Sequence, residues 1–426
     1  YIGLKGESFD GNSFCDDAIK NGCIAVITDD KEMLGRNILV RDTYDALLKI
    51  ANHHHKQINP VTIAITGSNG KTTVKEMIGR VLDEAKTVIT NKNENNQFGI
   101  PYTILRCTPH TETLILECGA RHDGDFRKIA QSFTFDQLII TNINNSHVGV
   151  FGSIDNIIRT KLDLIGAVKN KGIVIEAAFK DLSTNHDLNT NLLSINLYNI
   201  NESNELDMQS TWPYLVASDP DQDGKYSISL GSDTNELKIV HETAIEHDCI
   251  NAVISSLALS QLGYDINESM KSLSGFENPL KNRFHIHEIS NYLVIDDTYN
   301  ANPSSMQSAM KNINDWSDER GRIVILGDMY DLGHYSSQEH KKVVNYALRM
   351  NQLRKLILVG DKFTNEIKEF SDKEREKIII IQNKVDDFPL LELTRDSSIK
   401  SRGVVHRYFK SDGGIILIKG SRTQGF

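Results

Sequence analysis

One turn concentrates the chemistry of this sequence: Gly67-Ser68-Asn69-Gly70-Lys71-Thr72-Thr73, directly after the apolar run Val61 to Ile65. Glycines at 67 and 70 let backbone N–H groups converge on phosphate oxygens, and a helix beginning at Lys71 would aim the positive end of its dipole at the same anion. Lys71 can reach terminal phosphates, and the Thr72 hydroxyl is placed to ligate Mg²⁺. The pattern is G-x-x-G-K-T, since Ile65 stands where the longer phosphate-loop motif has its first glycine. A carboxylate, Glu117, and a histidine, His147, follow two further apolar runs, Leu114 to Leu116 and Leu138 to Ile140. Both therefore fall at the rim where open parallel sheets place their sites, and Glu117 is a hard oxygen ligand suited to Mg²⁺.

Such a rim needs buried strands and packing helices. Short apolar runs recur at Ile24 to Ile27, Ile173 to Ile175, Leu293 to Ile295, Ile323 to Leu326, Leu356 to Val359, Ile378 to Ile381 and Ile415 to Ile418. Bounded by polar turns and alternating with helical segments, they predict an α/β protein with parallel sheets. After Lys71, Val74, Met77, Ile78, Val81 and Leu82 share one helical face. A second helix is predicted from about Ile250 to Leu262, stopped by Gly263. Residues 181–245, rich in Asn, Ser and Asp, predict short β pieces and loops. Two proline-bearing stretches, 52–60 and 275–284, suggest boundaries, so three units are expected: 1–58, 59–283 and 284–426.

The 426 residues are ample for several cores, and 47 Lys plus Arg against 57 Asp plus Glu give a net charge of −10. That argues against a nucleic-acid binder, which carries a basic surplus. Five scattered cysteines without a C-x-x-C pair argue against a zinc site and fit a reducing compartment. No apolar run approaches the length of a membrane span. The opening residues from Tyr1 read as the middle of a strand and its turn, which predicts that the first unit begins upstream; the last unit is likewise expected to be cut short. His53-His54-His55 invites a metal reading, but neighbours on a helix point about 100° apart, so an exposed helix end is predicted. The run Ser371 to Lys377 is predicted to be a solvated helix face or loop.

The turn T-G-S-N-G-K-T-T, with several further strings in order, resembles the ATP-dependent Mur ligase family, and within it the MurF type. Asn93-Glu94-Asn95-Asn96-Gln97-Phe98-Gly99-Ile100-Pro101 resembles N-x-N-N-x-x-G-x-P, and Glu117-Cys118-Gly119-Ala120-Arg121-His122-Asp123-Gly124-Asp125 resembles E-x-G-A-N-H-x-G-E. Thr141 to His147 with Phe151-Gly152-Ser153, and His247 to Ala252, follow. Asp296-Asp297-Thr298-Tyr299-Asn300-Ala301-Asn302-Pro303-Ser304-Ser305-Met306 is the most specific string. Gly327-Asp328-Met329, Lys419-Gly420-Ser421-Arg422 and Leu4-Lys5-Gly6-Glu7-Ser8-Phe9-Asp10-Gly11 complete the series.

The resemblance implies a three-domain architecture: a UDP-sugar-binding domain, a central P-loop ATPase sheet and a C-terminal Rossmann-like domain. It implies an amide ligase that adds D-alanyl-D-alanine to a UDP-N-acetylmuramoyl-tripeptide through an acyl phosphate, with ATP and Mg²⁺. Gly67 to Thr73, Asn251, Arg283, Asn300 and Asn302 would bind ATP. Thr72, Glu117, His147 and Lys161 would hold metal, Lys161 after carbamylation. Lys71, Lys161 and His147 would serve catalysis; Asn95, Asn96 and His122 would face the muramyl peptide, with His122 also a candidate base for the incoming amine. A cytoplasmic monomer without nucleic-acid partner or membrane insertion is the family's expectation. Arg121, Asp125 and Glu176 depart from the family strings. They keep open a related ligase for another amino acid or dipeptide; a degenerate Mur-like binding protein is the alternative from another class.

Overall fold

The computed structural model describes residues 1–6, 9–32, 35–144, 146–177, 191–199, 214–217, 228–232, 235–237, 246–276, 278–279, 282–363, 370–381 and 413–421. Within the quoted strings, Glu7, Ser8, Asn145 and Arg422 lie outside the described residues.

The first residues form α1 (Cys15–Lys20), β1 (Val26–Thr28), β2 (Asn37–Leu39) and α2 (Thr43–Ile58), with β1 and β2 paired in parallel. Asp42 caps α2 by accepting from the Asp45 N–H, and Asn59 ends it in the left-handed conformation with φ 52°. The stretch 52–60, expected to be a polar connection, is therefore mostly helix. The histidine run is also corrected in part. His53 is exposed, but His55 is buried and its Nε2 lies 2.8 Å from Thr62 Oγ1, while His54 Nε2 lies 2.8 Å from the Cys107 carbonyl. The three rings do diverge as predicted. What the angular argument missed is that α2 packs against the helices Gly99–Leu105 and Arg127–Ser132, so Leu48, Ala51 and His55 form one buried face.

The central sheet contains β3 (Val61–Thr66), β4 (Thr87–Ile89), β5 (Thr113–Glu117), β6 (Phe135–Ile140), β7 (Val168–Ala177), β8 (Asn191–Asn199), β9 (Tyr214–Ala217), β10 (Ile228–Ser232) and β11 (Asn235–Leu237). Its order is β11-β10-β9-β8-β7-β6-β3-β5-β4; β4 through β9 run parallel, and the last two pairings, β9 with β10 and β10 with β11, are antiparallel. The short β pieces predicted within 181–245 are these last four strands. Interleaved are α3 (Lys71–Val81), α4 (Gly99–Leu105), α5 (Arg127–Ser132), α6 (Val148–Phe151), α7 (Ile154–Leu162), α8 (Glu246–Ser260) and α9 (Ile266–Leu273).

Strand β3 carries apolar residues on both faces, at Ile63, Ala64 and Ile65 in succession, because both its faces are covered. Ile63 and Ile65 pack with Val74, Met77 and Ile78 of α3 and Val253 and Leu257 of α8, whereas Ala64 joins Leu114, Leu116, Ile100 and Ile104 on the opposite side. Each fully buried Val, Leu, Ile or Met among them contributes about 1.5–3 kcal/mol by leaving water. The chain leaves β3, goes out past β5 to the edge strand β4, and later returns to β6 on the other side of β3. The direction of winding thus reverses at β3, and its carboxyl end opens into the crevice where such sheets bind ligands.

The last sheet has β12 (His285–Ile289), β13 (Tyr292–Asp297), β14 (Arg322–Gly327), β15 (Leu353–Val359), β16 (Ile378–Ile381) and β17 (Gly414–Lys419), ordered β12-β13-β17-β14-β15-β16 with only β12 antiparallel. Helices α10 (Pro303–Asp315) and α11 (Ser336–Leu348) lie among these strands, and α12 (Asp372–Arg375) precedes β16. The charged run around α12 is the solvated segment predicted, started by a reciprocal Ser371–Glu374 capping box. All five cysteines are free.

Candidate active site

The phosphate loop leaves β3 and enters α3 through Gly70, whose φ of +82° favours glycine; a Cβ there would also meet Asn251 Oδ1 at 2.8 Å. No side chain caps this helix, so its first N–H groups are not spent on a capping residue. The loop is tied to the end of β6: the Ser68 N–H donates to the Asn142 carbonyl at 2.8 Å, and the Asn69 N–H to Asn142 Oδ1 at 2.9 Å. Lys71 Nζ folds back to the Gly67 and Ser68 carbonyls at 2.7 and 3.0 Å. Lys161, on α7 and 5% exposed, donates to the same Gly67 carbonyl at 2.9 Å. Desolvation lowers the pKa of both lysines, and for Lys161 the Lys71 charge adds to the effect; Glu117 opposes it for Lys71.

Glu117 ends β5 and is buried. Its Oε1 accepts from Thr72 Oγ1 at 3.1 Å and from Asn95 Nδ2 at 2.8 Å, while Oε2 is buried and accepts no hydrogen bond. A buried carboxylate that meets the Thr72 hydroxyl through Oε1 and spends no hydrogen bond on Oε2 has acceptor capacity to spare for Mg²⁺. Among the described residues no three His, Cys, Asp or Glu side chains converge. Thr72 and Glu117 would therefore hold the ion together with phosphate oxygens and water, as Mg²⁺ is usually held.

His147 begins α6 in the left-handed conformation with φ 62°, and its Nδ1 lies 3.0 Å from Asp331 Oδ2. A carboxylate on one ring nitrogen is the usual way of fixing a histidine whose other nitrogen takes a ligand. The Gly149 N–H donates to the Asp331 carbonyl at 2.9 Å, and a Cβ on Gly149 would collide with the Gly333 backbone, so the two sheets' loops touch backbone to backbone.

Opposite the phosphate loop stands the segment after β13. Asn302 caps α10 by accepting from the Ser305 N–H, and its Nδ2 donates to Asn69 Oδ1 at 2.9 Å; Asn69 Nδ2 donates to Ser304 Oγ at 2.9 Å. Arg283 donates to Thr72 Oγ1 at 3.1 Å and stacks 3.8 Å from the Tyr299 ring centroid. The Tyr299 hydroxyl donates to Asn93 Oδ1. Lys419, 3% exposed, pairs with Asp297 Oδ2 at 2.7 Å and donates to the Asn300 carbonyl at 2.8 Å, bracing this loop from below.

The structure thus brings Gly67 to Thr73, Asn95, Glu117, Lys161, Asn251, Arg283 and Asn302 to one crevice. Asn300 is exposed beside it. Asn96 uses its side chain to start α4, accepting from the N–H groups of Phe98 and Gly99 at 3.1 and 2.9 Å. His122 lies in a turn closed by Asp125, whose Oδ2 accepts from the N–H groups of Arg121 and His122 at 2.8 and 2.9 Å; the shorter acid at 125 still serves that purpose. Sequence reasoning missed Lys75, Asn142 and Asp331. Asn142 and Asp331 lay within or beside quoted strings, whereas Lys75 gave only the weak signal of a cation one turn after Lys71.

Residues 65–258 match the Mur ligase middle domain, and residues 282–397 match the domain described as Mur ligase, glutamate ligase domain. A UDP-N-acetylmuramoyl-tripeptide–D-alanyl-D-alanine ligase of Haemophilus influenzae is 28% identical over 98% of this chain and 90% of its own length. The ligase of that name from Bacillus subtilis is 30% identical over 80% of this chain and 73% of its own. Among solved structures, MurF from Acinetobacter baumannii superposes with a TM-score of 0.82 at 25% identity, covering 100% of this chain and 88% of that one. MurF from Thermotoga maritima, solved with ADP, shares the fold with a TM-score of 0.78 at 22% identity over 99% and 91% of the two chains. With the phosphate loop, the strand-end glutamate and the facing asparagine loop assembled across two sheets, and with relatives matched along nearly its whole length, this chain belongs to the Mur ligase family.

Proposed function

We propose that the protein is an ATP-dependent amide ligase that joins D-alanyl-D-alanine to a UDP-N-acetylmuramoyl-tripeptide, acting in the cytoplasm as a monomer built of units 1–58, 59–283 and 284–426. The observation that carries this reading is the contact of Asn69 and Thr72 with Asn302, Ser304 and Arg283, which joins a phosphate loop to the loop holding the MurF-like D-D-T-Y-N-A-N-P string. The matched ligases of Haemophilus and Bacillus, by their names, point to the same substrates.

A carboxylate is a poor acyl donor. In the proposed reaction one carboxylate oxygen of the peptide attacks the γ-phosphorus of ATP, ADP leaves, and an acyl phosphate forms. The D-alanyl-D-alanine amine then attacks the acyl carbon, phosphate leaves, and the amine gives up its proton. The first step brings two anions together, so positioning and charge neutralisation must supply most of the rate. Lys71 moves from the loop carbonyls to the terminal phosphates, Arg283 neutralises a phosphate next to Thr72, and Asn251 and Asn300 contact the nucleoside. Thr72 and Glu117 hold Mg²⁺, which when bound supplies Lewis-acid neutralisation of the phosphates. Lys161 is available for carbamylation: its depressed pKa favours the neutral amine that reacts with carbon dioxide. His147, oriented by Asp331, and Lys161 once carbamylated would hold a second ion. Asn95, Asn96 and His122 line the muramyl-peptide side, and closure of the last unit shields the acyl phosphate from water. No helix among the described residues is long and apolar enough to cross a membrane.

The deciding experiment measures phosphate release across a matrix of UDP-muramyl peptides and amine donors. Turnover should require ATP, the tripeptide and D-alanyl-D-alanine together; release independent of either peptide would overturn the assignment. A second reading, ligation of another amine, rests on Arg121, whose charge is felt at Asp331 on the seam between the sheets. Preference for a different amine in the same matrix selects it.

A further inference from the structure

Lys75 is a cation of this crevice that the reaction scheme leaves unused. It lies one turn after Lys71 on α3 and is 1% exposed. Its Nζ donates to the Thr90 carbonyl at 2.8 Å, pairs with Glu76 Oε1 at 2.8 Å and stands 3.9 Å from Glu117 Oε2. Thr90 turns toward the same glutamate, its Oγ1 accepting from the Glu117 N–H at 3.0 Å. Glu117 is therefore gripped from two sides: Thr72 and Asn95 hold Oε1, and a buried ammonium faces Oε2, which has no hydrogen bond of its own.

Burying an ammonium is costly unless charge and hydrogen bonds compensate it. Here one lysine serves two carboxylates, from α3 and from the tip of β5, and a carbonyl just beyond β4. Hydrophobic residues of similar length would fill this space more cheaply, so the placement points to a demand on geometry. We propose that Lys75 is a positioning residue for the metal-bound nucleotide: it is the counter-charge that fixes Glu117 with Oε1 beside Thr72. The inference rests on the ATP and Mg²⁺ reading given above. Without Lys75 the Glu117 carboxylate loses its attraction on the Oε2 side and turns away from the Thr72 hydroxyl, while the phosphate loop itself is untouched.

Calorimetric titration of ADP into the full chain, with Mg²⁺ and again with EDTA, isolates the metal's contribution as a ratio of affinities and needs no turnover. In Lys75→Met that ratio should fall about 10- to 100-fold, the usual cost of losing a group that orients a ligand, with metal-free ADP affinity retained. Glu76→Gln, which leaves Lys75 to Glu117 alone, should keep the ratio. Thermal melts check folding, and Lys75→Gln replaces the methionine variant if that one does not fold. An unchanged ratio in the Lys75 variants, or an equal loss in Glu76→Gln, overturns the proposal; the second result would mean that the integrity of the buried ion cluster as a whole, and not the hold of Lys75 on Glu117, governs. A wild-type chain whose ADP affinity ignores Mg²⁺ overturns the proposal and the metal reading together. A normal wild-type ratio that Lys75→Met leaves unaltered sinks the Lys75 role alone.

Discussion

Two helices begin at this crevice, and they begin differently. Helix α3 starts from a left-handed glycine with no side-chain cap, whereas α10 starts from Asn302 with a reciprocal Asn302–Ser305 capping box and Pro303 in its first turn. Both follow a strand and a loop, and both aim the positive end of a helix at the same space. An uncapped start leaves N–H groups for a ligand; a capped start has used them. The first helix is thus built to receive an anion, and the second to hold the loop that receives it. Asn302 does both holding tasks with one amide, its oxygen on α10 and its nitrogen on Asn69.

The harshest test of that division is Lys71→Ala. It should lower ATP turnover roughly 10³-fold, the scale of losing one charge-stabilising group, with the melting temperature little changed; retained turnover would place phosphate recognition elsewhere. Gly70→Ala comes next. A left-handed alanine costs of order 1–3 kcal/mol, and contact with Asn251 adds to it, so ADP affinity and thermal stability should both fall. If calorimetry finds neither altered, the uncapped start is not under constraint.

The capped side should respond more gently. Asn302→Ala removes a cap worth about 1 kcal/mol and should depress the melting temperature. Asn302→Asp keeps the capping oxygen and loses the donor to Asn69, so stability should hold while KM for ATP rises about tenfold, equivalent to about 1.4 kcal/mol. Equal behaviour of the two variants would mean that the amide is a cap and nothing more.

The smallest effect concerns the strand tips. Glu117 ends β5 among donors, while Asp328, just past β14, is buried with the one Lys362 backbone N–H shared between its two oxygens at 3.2 and 3.3 Å, and burial raises its pKa from the ordinary 3.8. Between that value and its raised one the folded chain holds a proton that the unfolded chain releases. Stability is therefore fully present below 3.8 and declines as pH rises through the window, by at most about 1.4 kcal/mol per pH unit. Asp328→Asn should flatten that slope in denaturant melts taken from acid to neutral pH; an unchanged slope would assign it to another group.

The long buried strands were legible because both faces are covered: each apolar run from Val61 to Ile418 falls inside or against a strand. The three-residue strands β2 and β4 and the half-exposed β12 carried no such run. The phosphate loop was legible because its spacing is local. His55 was misjudged because its burial depends on which side of α2 faces its neighbours, a tertiary fact. Lys75 was passed over for the converse reason: on a helix wheel a lysine belongs to the wet face, and only the tips of β4 and β5 make that face an interior.

The Gly67 carbonyl accepts from both Lys71 and Lys161. One oxygen thus serves two lysine side chains. While Lys161 is unmodified, Lys71 can leave for a phosphate without leaving that oxygen unsatisfied, since Lys161 still donates to it; carbamylation of Lys161 would give up that bond in its turn. Filling the loop is then an exchange of partners in place of an addition, so calorimetry should record a modest enthalpy even where affinity is high.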